Sequence, residues 1–175
     1  MTIQEAYKFC LYCGSKANLV GEDHLECPNC GKKFFFSPSV GSACFCRNPK
    51  GEILVIERNI EPHKGTLGLP AGFVDINDPT LESTIVREIM EEVGCKVKNI
   101  KYLSSHHTIY PFAGVDRPHM STFWVCELDE ETPEPKTSSE VSKVFFADVK
   151  TLDLSKFGFD STRMAIKDYI DFLNK

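Results

Sequence analysis

Three glutamates stand where they could hold a divalent cation. Glu88, Glu91 and Glu92 are spaced i, i+3 and i+4, so in a helix all three lie on one face. Like charges at these spacings destabilise an isolated helix by about 0.2–0.5 kcal/mol per pair, and the helix dipole disfavours them further near the C-terminus. A cluster of oxygen ligands suits Mg²⁺ or Mn²⁺. Taken alone, a solvated acidic helix end explains the pattern at least as well.

Four cysteines near the N-terminus form two CxxC pairs, Cys10 with Cys13 and Cys27 with Cys30, each followed by glycine. Two such turns direct four thiolates to one point and complete a tetrahedral zinc site. A closed shell of four sulfurs leaves no position for water, so this Zn²⁺ is expected to be structural. Because residues 1–36 are too few to hold a core alone, the metal would supply the missing folding energy.

A glycine-containing loop precedes the three glutamates. Gly72 lies 16 residues before Glu88, and Arg87 directly precedes Glu88. These residues resemble the box of the Nudix hydrolases, which reads Gly, five residues, Glu, seven residues, Arg-Glu, an apolar residue, any residue, Glu-Glu, any residue, Gly and an apolar residue. One extra residue separates Gly72 from Arg87 here, and Asp78 or Pro79 replaces the first glutamate. The Leu-Pro-Ala-Gly loop and the ribbon ahead of it resemble the NADH and ADP-ribose pyrophosphatase branches.

The resemblance implies hydrolysis of a nucleoside diphosphate linked to another moiety, with Mg²⁺ or Mn²⁺ bridging the phosphates and activating water. It implies that Glu88 and Glu92 are direct ligands and that Glu91 is a ligand either directly or through water. The backbone carbonyl of Ala71 is expected as a further ligand. Arg87 is expected to orient the glutamates.

Residues outside the box are expected to complete the site. Arg58 and Lys64 flank the loop that contains Gly72, and each either holds phosphate or is a solvated surface cation. Members of the family often supply the general base as a glutamate from a late loop. Glu140 fits this role best, and an ordinary loop charge is the alternative.

An aromatic segment follows the box. Tyr110-Pro111-Phe112 can be compared with a short NADH-recognition motif of zinc-containing family members, although its spacing and last residue differ. We therefore expect Tyr110 or Phe112 to hold a base or a nicotinamide ring by stacking.

The elements that must position these residues alternate in type. Asp78 is expected to cap the first long helix, with Pro79 as its first residue and Gly94 as its stop. Cys44 and Cys46 alternate in a strand, and each is expected to behave as a small buried hydrophobe. We predict strands over 40–47, 53–58, 97–104, 106–112, 119–128 and 143–148, helices over 79–93 and 161–173, and a mobile loop over 129–140.

This order predicts an α+β protein. The resemblance implies a Nudix α/β/α sandwich with a mixed sheet over residues 37–175, preceded by a small zinc ribbon over residues 1–36. Of the 175 residues, 42% are hydrophobic and 26% charged, which excludes a wholly disordered chain. No apolar run approaches the roughly 20 residues that a membrane-spanning helix requires.

Charge and cysteine content limit the partners. The net charge of −5 argues against a general nucleic-acid coat, and the ribbon's four lysines are balanced by four acidic residues. Eight cysteines without a signal sequence indicate reduced thiols, so we expect a cytoplasmic protein.

A small nucleotide is the expected substrate, nucleic acid and membrane are not expected partners, and a homodimer is left open. The leading hypothesis is a pyrophosphohydrolase of ADP-ribose, NADH or a similar ADP-linked dinucleotide. The competing hypothesis is a Nudix-like module that senses a nucleotide or binds a nucleic acid or protein partner without turnover. The complete set of glutamates favours the enzyme, because a sensor has no need for a costly ligand cluster.

Overall fold

The computed structural model describes residues 1–129 and 136–175, so residues 130–135 of the loop predicted over 129–140 lie outside the described residues. The chain forms two compact units, one of Met1–Ser39 with Ile109–His119 and one of Val40–Thr108 with Met120–Lys175. Among the described residues, no helix combines the length and the apolar composition that crossing a bilayer requires.

The first unit contains a short helix and a small antiparallel sheet. Helix α1 (Ile3–Ala6) precedes strands β1 (Asn18–Val20), β2 (His24–Glu26) and β3 (Lys33–Phe35), which pair in the order β1-β2-β3. Each CxxC turn closes through the following glycine, with Gly14 N–H donating to the Cys10 carbonyl and Gly31 N–H to the Cys27 carbonyl. Both glycines have φ near +70°, a conformation that side chains disfavour.

The second unit is built on a larger sheet. Its strands are β4 (Ser39–Arg47), β5 (Ile53–Arg58), β6 (Leu67–Gly68), β7 (Ala71–Phe73), β8 (Val97–Phe112), β9 (Val115–Leu128) and β10 (Val141–Ala147), and its helices are α2 (Leu81–Val93) and α3 (Asp160–Leu173). The main strand order is β10-β5-β4-β9-β8, with β6 pairing with β5 and β7 pairing with β4.

The sheet is mixed, as predicted. β5 pairs antiparallel with both β4 and β10. Side-chain hydrogen bonds between β4 and β9 join Ser42 to Thr122 and Arg47 to Glu127, so the partners advance together along both strands. A constant offset of 80 residues is what a parallel pair produces, since antiparallel partners would run in opposite directions.

Alternation along the central strands separates two apolar layers. Phe45 of β4 faces the layer that contains Ile166 and Tyr169 of α3. Its neighbours Cys44 and Cys46 face the opposite layer, which contains the buried stripe of α2. Because successive side chains of a strand point to opposite faces, one strand serves both helices. The result is the predicted α/β/α sandwich, and Cys44 and Cys46 are fully buried, as predicted.

The ends of the elements correct three predictions. Helix α2 begins at Leu81 and not at Pro79, because Thr80 is the N-cap and its side chain accepts a hydrogen bond from Ser83 N–H. Helix α3 includes Asp160, and Phe159 precedes it without a side-chain cap. The strands predicted over 97–104 and 106–112 form one continuous strand, β8. Gly94 ends α2 with φ of +70°, as predicted.

Candidate metal and phosphate site

A buried carboxylate lies at the centre of the candidate site. Glu92 is 8% exposed, and its Oε2 accepts a hydrogen bond of 2.9 Å from the backbone N–H of Ala71. Burial raises the pKa of Glu92 to about 8; the nearby charges of Glu88 and Glu140 add to this rise, whereas the Ala71 hydrogen bond and Arg58 oppose it. A buried carboxylate with this environment favours a cation beside it.

Glu88 lies against the backbone of the loop that carries Ala71. A Cβ atom built on Gly72 would come within 1.9 Å of the Glu88 carboxyl carbon, so only glycine permits this approach. Burial raises the pKa of Glu88, whereas its contact with Arg87 lowers it. The predicted role of Gly72 in substrate binding is untested, and what the geometry shows is that Gly72 makes room for Glu88.

Arg87 connects the acidic residues. Its Nε and Nη2 donate to the two carboxylate oxygens of Asp78 at 3.1 and 2.7 Å. Its Nη1 donates to Glu88 at 2.7 Å and to Glu91 at 3.2 Å. Nη2 also donates to the Phe73 carbonyl at 3.0 Å. A planar guanidinium bound on several sides fixes the orientation of the helix face that carries the glutamates.

Asp78 anchors this network and does not cap α2. Besides Arg87, its Oδ2 accepts hydrogen bonds from Thr84 Oγ1 at 2.8 Å and from Asp75 N–H at 2.9 Å. The hydrogen bonds from Arg87 are the largest cause of the lowered pKa of Asp78. Five residues separate Gly72 from Asp78, which is the interval the box prescribes for its first glutamate. The comparison with the box already placed Asp78 or Pro79 at this position, whereas the expectation that Asp78 caps α2 was wrong because Thr80 is the N-cap.

The other predicted residues of the second unit vary in placement. Glu91 is mostly exposed and contacts Arg87. Glu140 lies close enough for its charge to raise the pKa of Glu88 and Glu92. Arg58 Nε donates to the Pro62 carbonyl at 3.0 Å, and its guanidinium lies 5.2 Å from the centre of the Phe159 ring. Lys64, the last of these predicted residues, is exposed in the loop before β6.

Tyr110 and Phe112 belong to the first unit, whereas the box belongs to the second. The Tyr110 ring lies 5.6 Å from the ring of His119, and Phe112 is 56% exposed. Their predicted contact with a base or nicotinamide ring stays a prediction. Nε2 of His106 lies 2.6 Å from Oδ2 of Asp168 in α3, a contact between residues 62 positions apart.

The glutamate site fits Mg²⁺ or Mn²⁺ by its donor chemistry. Glu92 is buried and Glu88 is partly buried, the charge of Glu88 acts on Glu92, and both offer only oxygen, the ligand that hard cations prefer. Among the described residues, the groups of three or more ligand atoms within 4.8 Å consist of cysteines, so the glutamates are more widely spaced. A divalent cation would supply positive charge that offsets the negative charge of these carboxylates.

The ribbon cysteines fit zinc by distance. Sγ of Cys10 lies 3.7 Å from Sγ of Cys30, and Sγ of Cys13 lies 3.6 Å from Sγ of Cys27. A tetrahedral zinc with Zn–S bonds of about 2.3 Å holds its sulfurs about 3.8 Å apart. Both measured pairs are near this spacing, and all four sulfurs lie within 4.8 Å of one another.

Known proteins are similar to this chain in sequence. A profile described as the NUDIX domain matches residues 38–166. A curated relative named NAD-capped RNA hydrolase NudC from Salmonella heidelberg (strain SL476) is 27% identical over 150 residues, 84% of this chain and 55% of the relative. The protein of that name from Enterobacter sp. (strain 638) is 30% identical over 109 residues, 62% of this chain and 41% of the relative. The chain thus spans about half the length of the curated relatives that it matches.

Solved structures share the fold. A NUDIX hydrolase from Nitrosomonas europaea superposes with a TM-score of 0.72 at 21% identity, covering 94% of this chain and 91% of that chain. The NUDIX domain of Shewanella oneidensis NrtR, solved as a complex with ADP ribose, superposes with a TM-score of 0.63 at 18% identity and covers 79% of this chain and 90% of that chain.

The ribbon spacing predicts one bound zinc. Elemental analysis of protein purified without added metal should give about one zinc per chain, because four thiolates complete one site. Cys27→Ser should lose that zinc and melt at a lower temperature, since metal binding supplies folding energy. Cys95→Ala, which changes a cysteine outside the ribbon, is the control and should keep its zinc. A Cys27→Ser protein that retained both zinc and stability would contradict the assignment.

The burial of Glu92 predicts a pH-dependent stability. The Glu92 carboxyl group ionises near pH 4.5 in the unfolded chain and near pH 8 in the folded protein. Its contribution to the free energy of unfolding is therefore fully present below about pH 4.5 and is lost as the pH rises toward 8. In Mg²⁺-free buffer, Glu92→Gln should stabilise the protein by an amount that grows by up to about 1.4 kcal/mol per pH unit across this window.

Urea unfolding between pH 4.5 and 8 measures this difference. Glu91→Gln is the matched control, because its carboxylate is 60% exposed on the same helix face. It should show no comparable growth with pH. Parallel curves for wild type and Glu92→Gln would mean that the carboxylate is solvated.

The Asp78–Arg87 contact predicts a second pH dependence of opposite sign. The pKa of Asp78 is lowered in the folded state, so its stabilisation is present above the ordinary pKa of 3.8 and is lost as pH falls through that region and below. Asp78→Asn should therefore lower the melting temperature at pH 7 and have a smaller effect near pH 3. Glu82→Gln, which changes an exposed carboxylate in the first turn of α2, is the control. Equal melting temperatures for wild type and Asp78→Asn at pH 7 would refute the anchor role.

Proposed function

Because the chain belongs to the NUDIX domain family, we propose that it is a metal-dependent pyrophosphohydrolase. Its substrate is a nucleoside diphosphate linked to another moiety, such as ADP-ribose, NADH or a similar ADP-linked dinucleotide. The observation that carries the proposal is the placement of Glu92 and Glu88 against the Ala71–Gly72 backbone, where burial raises the pKa of both carboxyl groups and the charge of Glu88 adds to the rise at Glu92. Such an arrangement is costly unless a cation binds to it.

Each residue of the site has a proposed task. Glu88 and Glu92 hold Mg²⁺ or Mn²⁺, with Glu91 at the exposed side and the Ala71 carbonyl as a further ligand. The bound cation polarises the diphosphate and lowers the pKa of water. Arg87 is fixed by its hydrogen bond to Asp78, and its hydrogen bond to Glu88 keeps that carboxylate in position. Glu140, whose charge acts on both glutamates, accepts the proton of the attacking water.

The cations near the site suggest how the phosphates are held. Arg58 lowers the pKa of Glu92, so its charge acts at the site, although two loop carbonyls already accept its hydrogen bonds. We assign Arg58 to ordering this loop and to the local positive potential, and the exposed Lys64 to direct contact with phosphate. This assignment rests on placement, because the Arg58 guanidinium is bonded to its own loop and lies beside the Phe159 ring, whereas Lys64 is exposed.

The substrate assignment is supported by likeness. The relatives are named NAD-capped RNA hydrolases, and a solved NUDIX domain was crystallised with ADP ribose. Both ligands contain an ADP unit, which is the part common to the substrates proposed for this chain. A nucleotide-binding module without turnover is disfavoured by the complete glutamate set, since Glu92 is buried at a cost that binding alone does not require.

Hydrolysis with and without Mg²⁺ tests the proposal. The panel comprises ADP-ribose, NADH, RNA carrying a 5′ NAD cap, diadenosine polyphosphates and nucleotide sugars, and the products are separated by chromatography. We expect Mg²⁺-dependent release of AMP from ADP-ribose or NADH. Glu92→Gln should reduce turnover by at least about 10²-fold, by analogy with the removal of other preorganised electrostatic groups.

The control variant separates activity from folding. Glu82→Gln removes a carboxylate from the exposed first turn of α2 and should retain turnover. Mg²⁺ should raise the melting temperature of wild type more than that of Glu92→Gln, because an ion stabilises the state that binds it. Full turnover and a full Mg²⁺ shift in Glu92→Gln would place the metal site elsewhere.

A further inference from the structure

Three buried cysteines on the central strands form a cluster that the glutamate site does not use. Cys44 and Cys46 of β4 and Cys126 of β9 place their Sγ atoms within 4.8 Å of one another. All three side chains are 0% exposed. The Sγ atoms of Cys44 and Cys126 are separated by 3.1 Å, closer than either sulfur pair of the ribbon.

The spacing of Cys44 and Cys126 fits a sulfur–sulfur bond better than a metal ion. Three thiolates around a metal at about 2.3 Å stand about 4 Å apart, so the pair would have to separate within a packed layer. Metal binding would also leave several thiolates in an apolar environment, where charge is costly. A disulfide is neutral, and the two sulfurs need to approach by only about 1 Å to reach the bond length of about 2.05 Å.

The hydrogen bonds within the trio distinguish one sulfur from the other two. Cys44 donates its S–H to Cys126, and this contact, with that from Cys46, lowers the pKa of Cys126. Burial raises the pKa of Cys44 and Cys46. Because Cys126 accepts the S–H of Cys44 at 3.1 Å, its sulfur is the electron-rich member of the pair, and we assign the first attack to it, with Cys44 beside it.

We propose that Cys44 and Cys126 are a reversible oxidation site, at which a peroxide converts the two thiols into a cross-strand disulfide. The Cys126 sulfur attacks one oxygen of hydrogen peroxide, the O–O bond breaks, and a sulfenic acid and one water form. The Cys44 sulfur then attacks the sulfenic sulfur, the S–O bond breaks, and a second water carries away the Cys44 proton. Two electrons pass from the sulfurs to the peroxide, and a dithiol reductant reverses the reaction.

The position of the pair connects it to the glycine loop. Cys44 N–H donates to the Pro70 carbonyl at 3.0 Å, directly before the Ala71 amide that binds Glu92. The trio also packs in the layer that contains Ile89 and Val93 of α2. A change of Cys44 geometry is therefore transmitted to both sides of the glutamate site. This consequence rests on the proposed function, whereas the disulfide itself does not.

Peptide mapping tests the disulfide without an activity assay. Trypsin places Cys44 and Cys46 in residues 34–47 and Cys126 in residues 102–136, because the Arg117–Pro118 bond resists cleavage, and neither peptide contains a ribbon cysteine. The zinc-loaded full chain is treated with hydrogen peroxide, its free thiols are alkylated in denaturant, and the digest is analysed by mass spectrometry before and after dithiothreitol.

The variants identify the sulfurs. We expect the linked pair of peptides in wild type, in Cys46→Ala and in the buried control Cys95→Ala, and its loss in Cys126→Ala and in Cys44→Ala. Because the trio is unexposed, the link should form more slowly than ribbon oxidation and faster in sub-denaturing urea. Ribbon oxidation without the linked pair, or a link that requires Cys46 in place of Cys44, would overturn the proposal.

Turnover on whichever substrate of the panel is hydrolysed tests the connection to the site. Oxidised wild type should lose most of its turnover and recover it with dithiothreitol, whereas Cys126→Ala should lose only what ribbon oxidation removes. A complete disulfide with unchanged turnover would overturn the connection to the glycine loop. If no substrate is hydrolysed by the reduced protein, the proposed function fails while the mapping result stands.

Discussion

The candidate site depends on a carboxylate that is held inside the protein by a backbone amide. Glu92 lies in α2 and its hydrogen-bond donor, the Ala71 amide, lies in the short strand β7. The helix must therefore pack close enough to β7 for the Glu92 side chain to reach that amide. Burial of an ionised carboxylate is unfavourable, and one amide compensates only part of that cost. The uncompensated part of that cost raises the pKa of Glu92. The neighbouring groups therefore have to hold this face of the helix in position.

Two further contacts make that meeting possible. Gly72 leaves open the space that the Glu88 carboxyl group occupies, and a Cβ atom at this position would displace that carboxylate from the loop. Arg87 links the helix to Asp78 and to the Phe73 carbonyl, and so joins both ends of the connecting segment. The replacement of glutamate by Asp78 and the extra residue before α2 are thus accommodated in one connecting loop, where changes in length cost little.

The two cysteine clusters show how environment decides the chemistry of one residue type. The ribbon sulfurs lie on turns near the surface, at the spacing of a tetrahedral ion, and two of the four are exposed. Cys44, Cys46 and Cys126 lie on neighbouring strands in an apolar layer, where charge is disfavoured and two sulfurs are closer than a metal allows. A similar set of thiols therefore suits zinc in one place and neutral oxidation chemistry in the other.

The sequence by itself determined the features that depend on local spacing. The helical face of Glu88 and Glu92 and the alternation of β4 follow from periods of 3.6 and two residues. The CxxC turns follow from the spacing of their cysteines, and the stop at Gly94 follows from the left-handed backbone that glycine adopts easily. Tertiary structure decided the hydrogen bonds of Asp78 with Arg87, the pairing of His106 with Asp168 and the meeting of Cys126 with β4. The start of α2 at Leu81 follows from the local contact of Thr80 with Ser83, which the sequence contained and the prediction missed. The partners of Asp78, His106 and Cys126 lie 9, 62 and 82 residues away along the chain. Such contacts arise from sheet order and helix packing, which local propensity does not encode.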